Sequence, residues 1–198
     1  MKHPVIAEKL LRLAAADEAC RQRLVATGEL FGGYHPEMQT VHEENAAALR
    51  LAMREIGYPS VSKVGVKANE AAWLVAQHAI SKPALMEAYL AAVLEEEGVS
   101  VRAAYLSDRI AVFRGRGQLY GTQFAWSDDG LLHPCALADA AGVDARRLTL
   151  GMPALAVQTA LIRARALAEG DMVPDDLAGF RAGELAWRKQ VGWLANEE

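Results

Sequence analysis

Apolar residues recur at helical spacing through most of this chain, and glycine or proline separates each such segment from the next. In the first segment, Ile6, Leu10 and Leu13 begin a stripe that continues to Leu24 before Gly28 ends it. A period of three to four residues predicts amphipathic helices, which constrains the chain to a mainly α fold. Helices are predicted over the following ranges: about 5–29, 36–56, 67–80, 83–97, from 100 onward, 153–169 and 175–194.

One segment departs from this helical pattern. Leu119 to Trp126 and Leu131 to His133 have the character of strands, and the polar turn Ser127-Asp128-Asp129-Gly130 separates them. Gly130 stands where such a turn needs a positive φ angle. We therefore predict a single helical domain over the whole chain, with one small β-hairpin near residues 118–134.

The composition is that of an ordinary soluble globular protein. Its 198 residues suffice for a proper core, and 52% hydrophobic with 23% charged residues is typical of this class. A net charge of −4 offers no electrostatic attraction for nucleic acid, so we expect no nucleic-acid partner. Local basic pairs such as Arg146-Arg147 are interpreted as a solvated face or as partners of a carboxylate. The oligomeric state is left open.

No feature of the sequence indicates a membrane partner or export. No uncharged apolar run approaches the roughly 20 residues of a membrane span. The N-terminus runs into an amphipathic segment rather than an apolar signal core, which favours a cytoplasmic protein. Cys20 and Cys135 lie far apart without a metal-type pairing, so two free thiols are expected in that reducing compartment.

The densest group of polar side chains on apolar elements lies late in the fifth predicted helix and in the hairpin. Its members are Asp108, Arg109, Tyr120, Thr122 and Gln123. Polar groups that are buried without partners are costly, so these residues are predicted to form either a binding site or a buried polar network. Arg109 stays charged and therefore needs a carboxylate from the protein or an anionic ligand.

Gln77 and His78 lie late in the third predicted helix. His78 shares an apolar stripe with Ala71 and Leu74. A histidine in such a place is most often a hydrogen-bonded core residue, and an acid–base catalyst is the alternative. Both side chains reach the same end of one helix, which adds some support to the catalytic alternative.

On the second predicted helix, His42 and Asn45 are three residues apart on one apolar stripe. His42 could transfer a proton, and Asn45 could orient a substrate carbonyl group. The alternative is that His42 faces solvent beside Glu43 and Glu44.

The sequence carries no local metal-binding motif. It has no histidine pair at positions i and i+4, no cysteine pair at ligand spacing and no carboxylate cage. His35 and His42 are seven apart, but Pro36 is expected to begin the helix between them. We therefore expect no metal and no other cofactor, although His42, His78 and Asp108 could converge in three dimensions.

A series of short motifs in a fixed order resembles a bacterial domain family of unknown function. The motifs are Gly57-Tyr58-Pro59, Val64-Gly65, Ala71-Ala72-Trp73-Leu74, Gln77-His78-Ala79, Ala104-Tyr105-Leu106, Asp108-Arg109-Ile110, Gln118-Leu119-Tyr120-Gly121-Thr122-Gln123-Phe124 and Leu150-Gly151-Met152-Pro153. The resemblance spans about residues 40–155, with helical additions at both ends, and it implies no particular reaction. The apolar residues predicted to be largely buried beside the motifs are Trp73, Leu74, Tyr105 and Leu119.

These observations lead to two hypotheses of function. In the first, the chain is a metal-independent hydrolase or lyase that acts on a small polar metabolite or peptide. His78 is then the acid–base group, and Asp108 fixes its tautomer or contacts the substrate. In the second, the chain is a non-catalytic ligand- or protein-binding module whose motif residues form a structural network. The predicted substrate-binding residues, for a small polar or anionic partner, are Gln77, Arg109, Tyr120, Thr122, Gln123, His42 and Asn45.

Overall fold

The structure, a computed structural model, describes residues 1–195, and these residues form a mainly α protein with one small β-hairpin. The predicted fold class is thereby confirmed. The α-helices are α1 (Pro4–Thr27), α2 (Pro36–Ile56), α3 (Val61–Val64), α4 (Val66–His78), α5 (Pro83–Glu97), α6 (Val101–Phe113), α7 (Val143–Thr149), α8 (Leu155–Glu169) and α9 (Leu177–Gln190). The strands are β1 (Phe124–Trp126) and β2 (Leu132–Pro134), and a 3₁₀ helix, Glu29–Phe31, lies between α1 and α2.

Proline, glycine and serine set the helix boundaries, as the sequence predicts. Pro36 and Pro83 begin α2 and α5, where the missing N–H of proline costs no hydrogen bond. Gly28 ends α1 with a φ of 74°. Oγ of Ser100 caps α6 by accepting the N–H of Ala103 at 3.2 Å. The short helices α3 and α7 escape prediction, since four and seven residues are too few to reveal a helical period.

The described chain divides into two compact units, one over Met1–Gly98 and one that begins at Val99. In the first unit, α1 packs against α2 and α4, and α4 also contacts α2, α3 and α5. A single domain over the whole chain stays a prediction. The largest fully buried apolar or aromatic side chains of the first unit are Leu10, Leu24, Leu49, Val64, Val75, Met86, Tyr89 and Val93.

In the second unit, β1 and β2 pair antiparallel with Ala125 opposite His133. Gly130 has a φ of 75°, which confirms the predicted position of the turn. The first strand is shorter than predicted, because residues 119–123 form a loop instead of a strand. Backbone N–H groups of this loop donate to the carboxylate of Asp108 rather than to a partner strand.

Burial of the apolar neighbours of the motifs is less complete than predicted. Leu119 is 44% exposed, so the prediction that it is buried is wrong, and Trp73, Leu74 and Tyr105 are only partly buried. The backbone of Leu119 is directed at Asp108, which leaves its side chain on the outside of the loop. A buried aromatic residue of the second unit is instead Trp193, which is 1% exposed.

Candidate functional site

Three helices of the first unit bring one carboxylate and two imidazoles together. Asp17 lies on α1, His42 lies on α2, and His78 is the last residue of α4. Oδ2 of Asp17 is 2.8 Å from Nδ1 of His78 and 3.3 Å from Nε2 of His42. We refer to these three residues as the Asp–His–His cluster.

Asp17 enters the interior because it interrupts the apolar stripe of α1. The stripe runs through Leu10, Leu13, Cys20 and Leu24, and Asp17 occupies the position between Leu13 and Cys20. This face of α1 packs against α2 and α4, and Asp17 is 1% exposed. An isolated buried carboxylate is very costly, so it requires partners, and the two histidines supply them.

A hydrogen bond on the far side of the ring orients His42. The hydroxyl of Tyr34 lies 2.9 Å from Nδ1 of His42, and this contact directs Nε2 of the same ring toward Asp17. The contact with Asp17 is close but poorly aligned. Nε2 of His42 is buried, and among residues 1–195 it has no hydrogen-bond partner of acceptable geometry.

The electrostatics of the cluster keep the carboxylate ionised. Burial alone would raise the pKa of Asp17, but its contacts with His42 and His78 outweigh burial and hold that pKa well below its usual range. Burial raises the pKa of Tyr34 above its usual range, and the negative charges of Glu43 and Asp17 add to this effect. The phenol therefore stays protonated at neutral pH, and its hydroxyl can either accept the Nδ1–H of His42 or donate to Nδ1, according to the tautomer of the ring.

His78 is the member of the cluster that reaches the surface. Its side chain is 27% exposed, against 8% for His42 and 1% for Asp17. The three potential ligand atoms lie within 4.8 Å of one another. The arrangement could therefore act as a histidine–carboxylate acid–base pair, or as a set of nitrogen and oxygen ligands for a metal ion.

The other two predicted site residues of the first unit, Asn45 and Gln77, are buried. Nδ2 of Asn45 donates to the carbonyl oxygen of Leu13 at 3.0 Å, which links α2 to α1 one turn before Asp17. This contact gives Asn45 a structural role. Substrate binding by Asn45 and by Gln77 stays a prediction.

In the second unit, Asp108 organises the loop that follows α6. Its Oδ1 accepts the backbone N–H groups of Leu119 and Tyr120 at 2.8 and 3.1 Å. Its Oδ2 accepts the N–H and the hydroxyl of Thr122, both at 3.1 Å. Asp108 is 1% exposed, so donors of the loop solvate its buried charge. This geometry favours a positioning role for Asp108 over the catalytic role that the sequence suggested.

Arg109 and two glutamines form a second polar group around the same loop. Nε of Arg109 donates to Oε1 of Gln123 at 3.0 Å, and Nε2 of Gln123 donates to Oγ1 of Thr122 at 2.9 Å. Nε2 of Gln118 donates to the carbonyl oxygens of Gln123 and Cys135 at 2.9 and 3.0 Å. Burial lowers the pKa of Arg109 to about 10, so its guanidinium is still protonated at neutral pH.

Three polar residues of these clusters were missed by sequence reasoning: Asp17, Tyr34 and Arg147. The signal for Asp17 was a carboxylate in an apolar helical stripe. Of the two interpretations of Arg146-Arg147, the solvated face is wrong for Arg147, which is 0% exposed. Its guanidinium donates to the carbonyl oxygens of Pro153 and Tyr120 at 2.6 and 2.5 Å, which ties α7 to the loop after α6.

The predicted site residues fall into two sets, one in each unit. The set of the first unit is His42, Asn45, Gln77 and His78, and the set of the second unit is Asp108, Arg109, Tyr120, Thr122 and Gln123. Within the first unit the two histidines meet at Asp17, and within the second unit the loop residues meet at Asp108. The convergence of both sets into one site stays a prediction.

The fold and this site define a mainly α protein with a buried Asp–His–His cluster. A family model matches residues 4–168, and the chain belongs to that family, a family of unknown function (DUF6624). The match includes α1, and therefore Asp17, and it extends at both ends beyond the range of the motifs. No curated protein and no solved structure matches the chain significantly. Within residues 1–195, every helix is too short or too polar to cross a bilayer.

Proposed function

We propose that the chain is an enzyme, a hydrolase or lyase that acts on a small polar metabolite or peptide with His78 as its acid–base group. The observation that carries this proposal is the 2.8 Å contact between Nδ1 of His78 and the buried carboxylate of Asp17. In this proposal Asp17 is the carboxylate that fixes the tautomer of His78, a role that the sequence suggested for Asp108. In this form the chemistry needs no metal.

The pair supplies what acid–base catalysis requires. When Nδ1–H of His78 donates to Asp17, the proton-accepting lone pair of the ring is on Nε2. The carboxylate stabilises the imidazolium that forms when Nε2 takes a proton. In hydrolysis that proton would come from water, and in an elimination it would come from a carbon next to a carbonyl group. Because 27% of the side chain is exposed, a small substrate can reach it.

In the second unit, the residues predicted to bind a ligand would hold and orient an anionic group. Arg109 carries a charge suited to a carboxylate or another anionic group, and its guanidinium is already oriented by Gln123. Tyr120 and Thr122 are held by the carboxylate of Asp108, which makes Asp108 a positioning residue in this proposal.

The test is a thermal-shift screen against metabolites and short peptides, followed by turnover assays on the hits. His78→Gln is compared with His133→Gln, because Nε2 of His133 also lies 2.8 Å from a carboxylate, Asp129, but on the exposed hairpin. We expect turnover to fall about 10²–10⁴-fold in His78→Gln and to stay unchanged in the control. Equal turnover in His78→Gln and the wild type would refute the proposal.

The alternative is a non-catalytic module that binds a ligand or a protein. One observation favours this alternative: the side chains of Asp108 and Asn45, two predicted site residues, are hydrogen-bonded to the backbone of their own units. In that case a ligand would raise the melting temperature without any turnover. His78→Gln would then change only the stability of the free protein and its affinity for the ligand.

A further inference from the structure

We propose that the Asp–His–His cluster binds one divalent transition-metal ion through Oδ2 of Asp17, Nε2 of His42 and Nδ1 of His78. This inference goes beyond the proposed function and competes with it for one atom, because Nδ1 of His78 can either hold a proton toward Asp17 or bind the ion. It also revises the expectation, drawn from local sequence motifs, that no metal is involved. The three ligands come from three different helices, so no local motif could reveal them.

The separations of the ligand atoms suit a metal ion. Metal–ligand bonds of about 2.0–2.1 Å place neighbouring ligand atoms about 2.9 Å apart in an octahedral site and about 3.3 Å apart in a tetrahedral site. Oδ2 of Asp17 is 2.8 Å from Nδ1 of His78 and 3.3 Å from Nε2 of His42. All three atoms lie within 4.8 Å of one another, so small rotations of the two rings would complete the coordination.

The orientation of His42 is an independent observation that points to an ion. Nε2 of His42 is buried beside a carboxylate, yet it makes no hydrogen bond of acceptable geometry with any described residue. A cation between Nε2 and Oδ2 would satisfy both atoms. On the other side of the ring, the hydroxyl of Tyr34 lies 2.9 Å from Nδ1. When Nδ1–H of His42 donates to this hydroxyl oxygen, the lone pair of Nε2 is free for the ion, and such an outer hydrogen bond fixes the tautomer and angle of a metal-binding histidine.

The chemistry of the ligands indicates the class of ion. Two imidazoles and one carboxylate suit zinc or another first-row transition ion such as iron(II), whereas calcium and magnesium prefer sites made of oxygen alone. Three protein ligands leave at least one coordination position for water or substrate. The side chain of His78 is 27% exposed, so the ion and that further ligand could approach from the solvent beside it.

A second histidine–carboxylate pair of the chain differs from the Asp–His–His cluster in its exposure. His133 and Asp129 also approach to 2.8 Å, but their side chains are 44% and 51% exposed. Among residues 1–195, that pair is not joined by a third ligand to form a cluster able to hold a metal. It therefore provides a control for adventitious binding to any surface histidine.

The experiment measures zinc binding to the full-length, chelator-treated protein by competition with a chromophoric chelator. Cobalt(II) is then titrated in place of zinc, because the intensity of its visible bands reports the coordination number of the bound ion. We expect one equivalent of zinc for the wild type and for His133→Gln. Asp17→Asn and His42→Gln should bind more than about 100-fold more weakly, because each removes a ligand, whereas Tyr34→Phe, which removes an outer hydrogen bond, should lose about 10- to 100-fold.

Two results would overturn the metal site: no tight zinc uptake by the wild type, or wild-type affinity in both Asp17→Asn and His42→Gln. Circular dichroism of the metal-free variants establishes that they fold. If neither ligand variant folds, Tyr34→Phe and the cobalt spectrum of the wild type decide the matter. Turnover that depends on His78 and survives chelation, together with no zinc uptake by the wild type, would refute the metal site alone. Stoichiometric zinc binding without any turnover would refute the proposed enzyme and leave the metal site standing.

Discussion

Replacing Asp108 by alanine should release the loop that follows α6. The carboxylate of Asp108 is the common acceptor for the N–H groups of Leu119, Tyr120 and Thr122 and for the hydroxyl of Thr122. Because Asp108 is 1% exposed, alanine would leave these donors facing a small buried gap. The loop carries several of the residues predicted to bind substrate, so its release should also weaken ligand binding.

The magnitude follows from the number of donors that lose their acceptor. Each buried donor left unpaired costs about 1–3 kcal/mol, and water entering the gap would recover part of that cost. We therefore expect the free energy of opening the loop to fall by about 3–5 kcal/mol, similar to breaking one buried ionic contact. Asp108→Asn keeps one acceptor oxygen and should lose about half as much.

Hydrogen exchange measured by mass spectrometry tests this prediction on the peptide that covers residues 118–123. Since each 1.4 kcal/mol is a factor of ten, exchange of those amides should become at least about 100-fold faster in Asp108→Ala. Asp128→Ala is the matched control, because Asp128 is an 87% exposed carboxylate that contacts Arg181 at the surface. Unchanged protection of the loop in Asp108→Ala would refute the reasoning.

Three further outcomes are expected. Trp193→Ala should lower the free energy of unfolding in urea by about 3–5 kcal/mol, since Trp193 is 1% exposed; a loss below about 1 kcal/mol would contradict its place in the core. Gly117→Ala should lower the melting temperature, because its Cβ would lie 2.6 Å from the backbone nitrogen of Ala138, whereas Gly183→Ala meets nothing within 4 Å and should not. Cys135 should resist alkylation at pH 8, because burial raises the pKa of its thiol to about 11; rapid alkylation of the folded protein would disprove this.

Much of the fold could be predicted because the helical period and the residues that begin or end a helix are local properties of the sequence. The stripe of α1, the prolines that begin α2 and α5 and the cap at Ser100 are each recognisable within a few residues. The turn at Gly130 was equally local. The same reasoning predicted a first strand that is too long. Residues 119–123 have a strand-like pattern, but N–H groups of this segment donate to a side chain on α6, which the pattern does not reveal.

Part of the candidate site was also visible in the sequence. His42 and His78 were singled out because each is a titratable group on an apolar stripe, and burying such a group demands a partner. Asp17 is likewise a titratable group on an apolar stripe, that of α1. It lies 61 positions before His78, and nothing in the sequence indicates that the two side chains meet. Asp108 is buried and has hydrogen-bond partners, as the sequence predicts, but these partners include the backbone N–H groups of the loop that follows α6.

The residue pattern alone therefore determined which of the longer segments are helical and marked some of the polar side chains that face inward. Only the tertiary structure decided what those side chains meet. Helical spacing defines the direction of a side chain from its own axis but carries no information about the helix packed opposite. Packing of α1 against α2 and α4 is what places Asp17 between His42 and His78, and that meeting of one carboxylate with two imidazoles creates the candidate site.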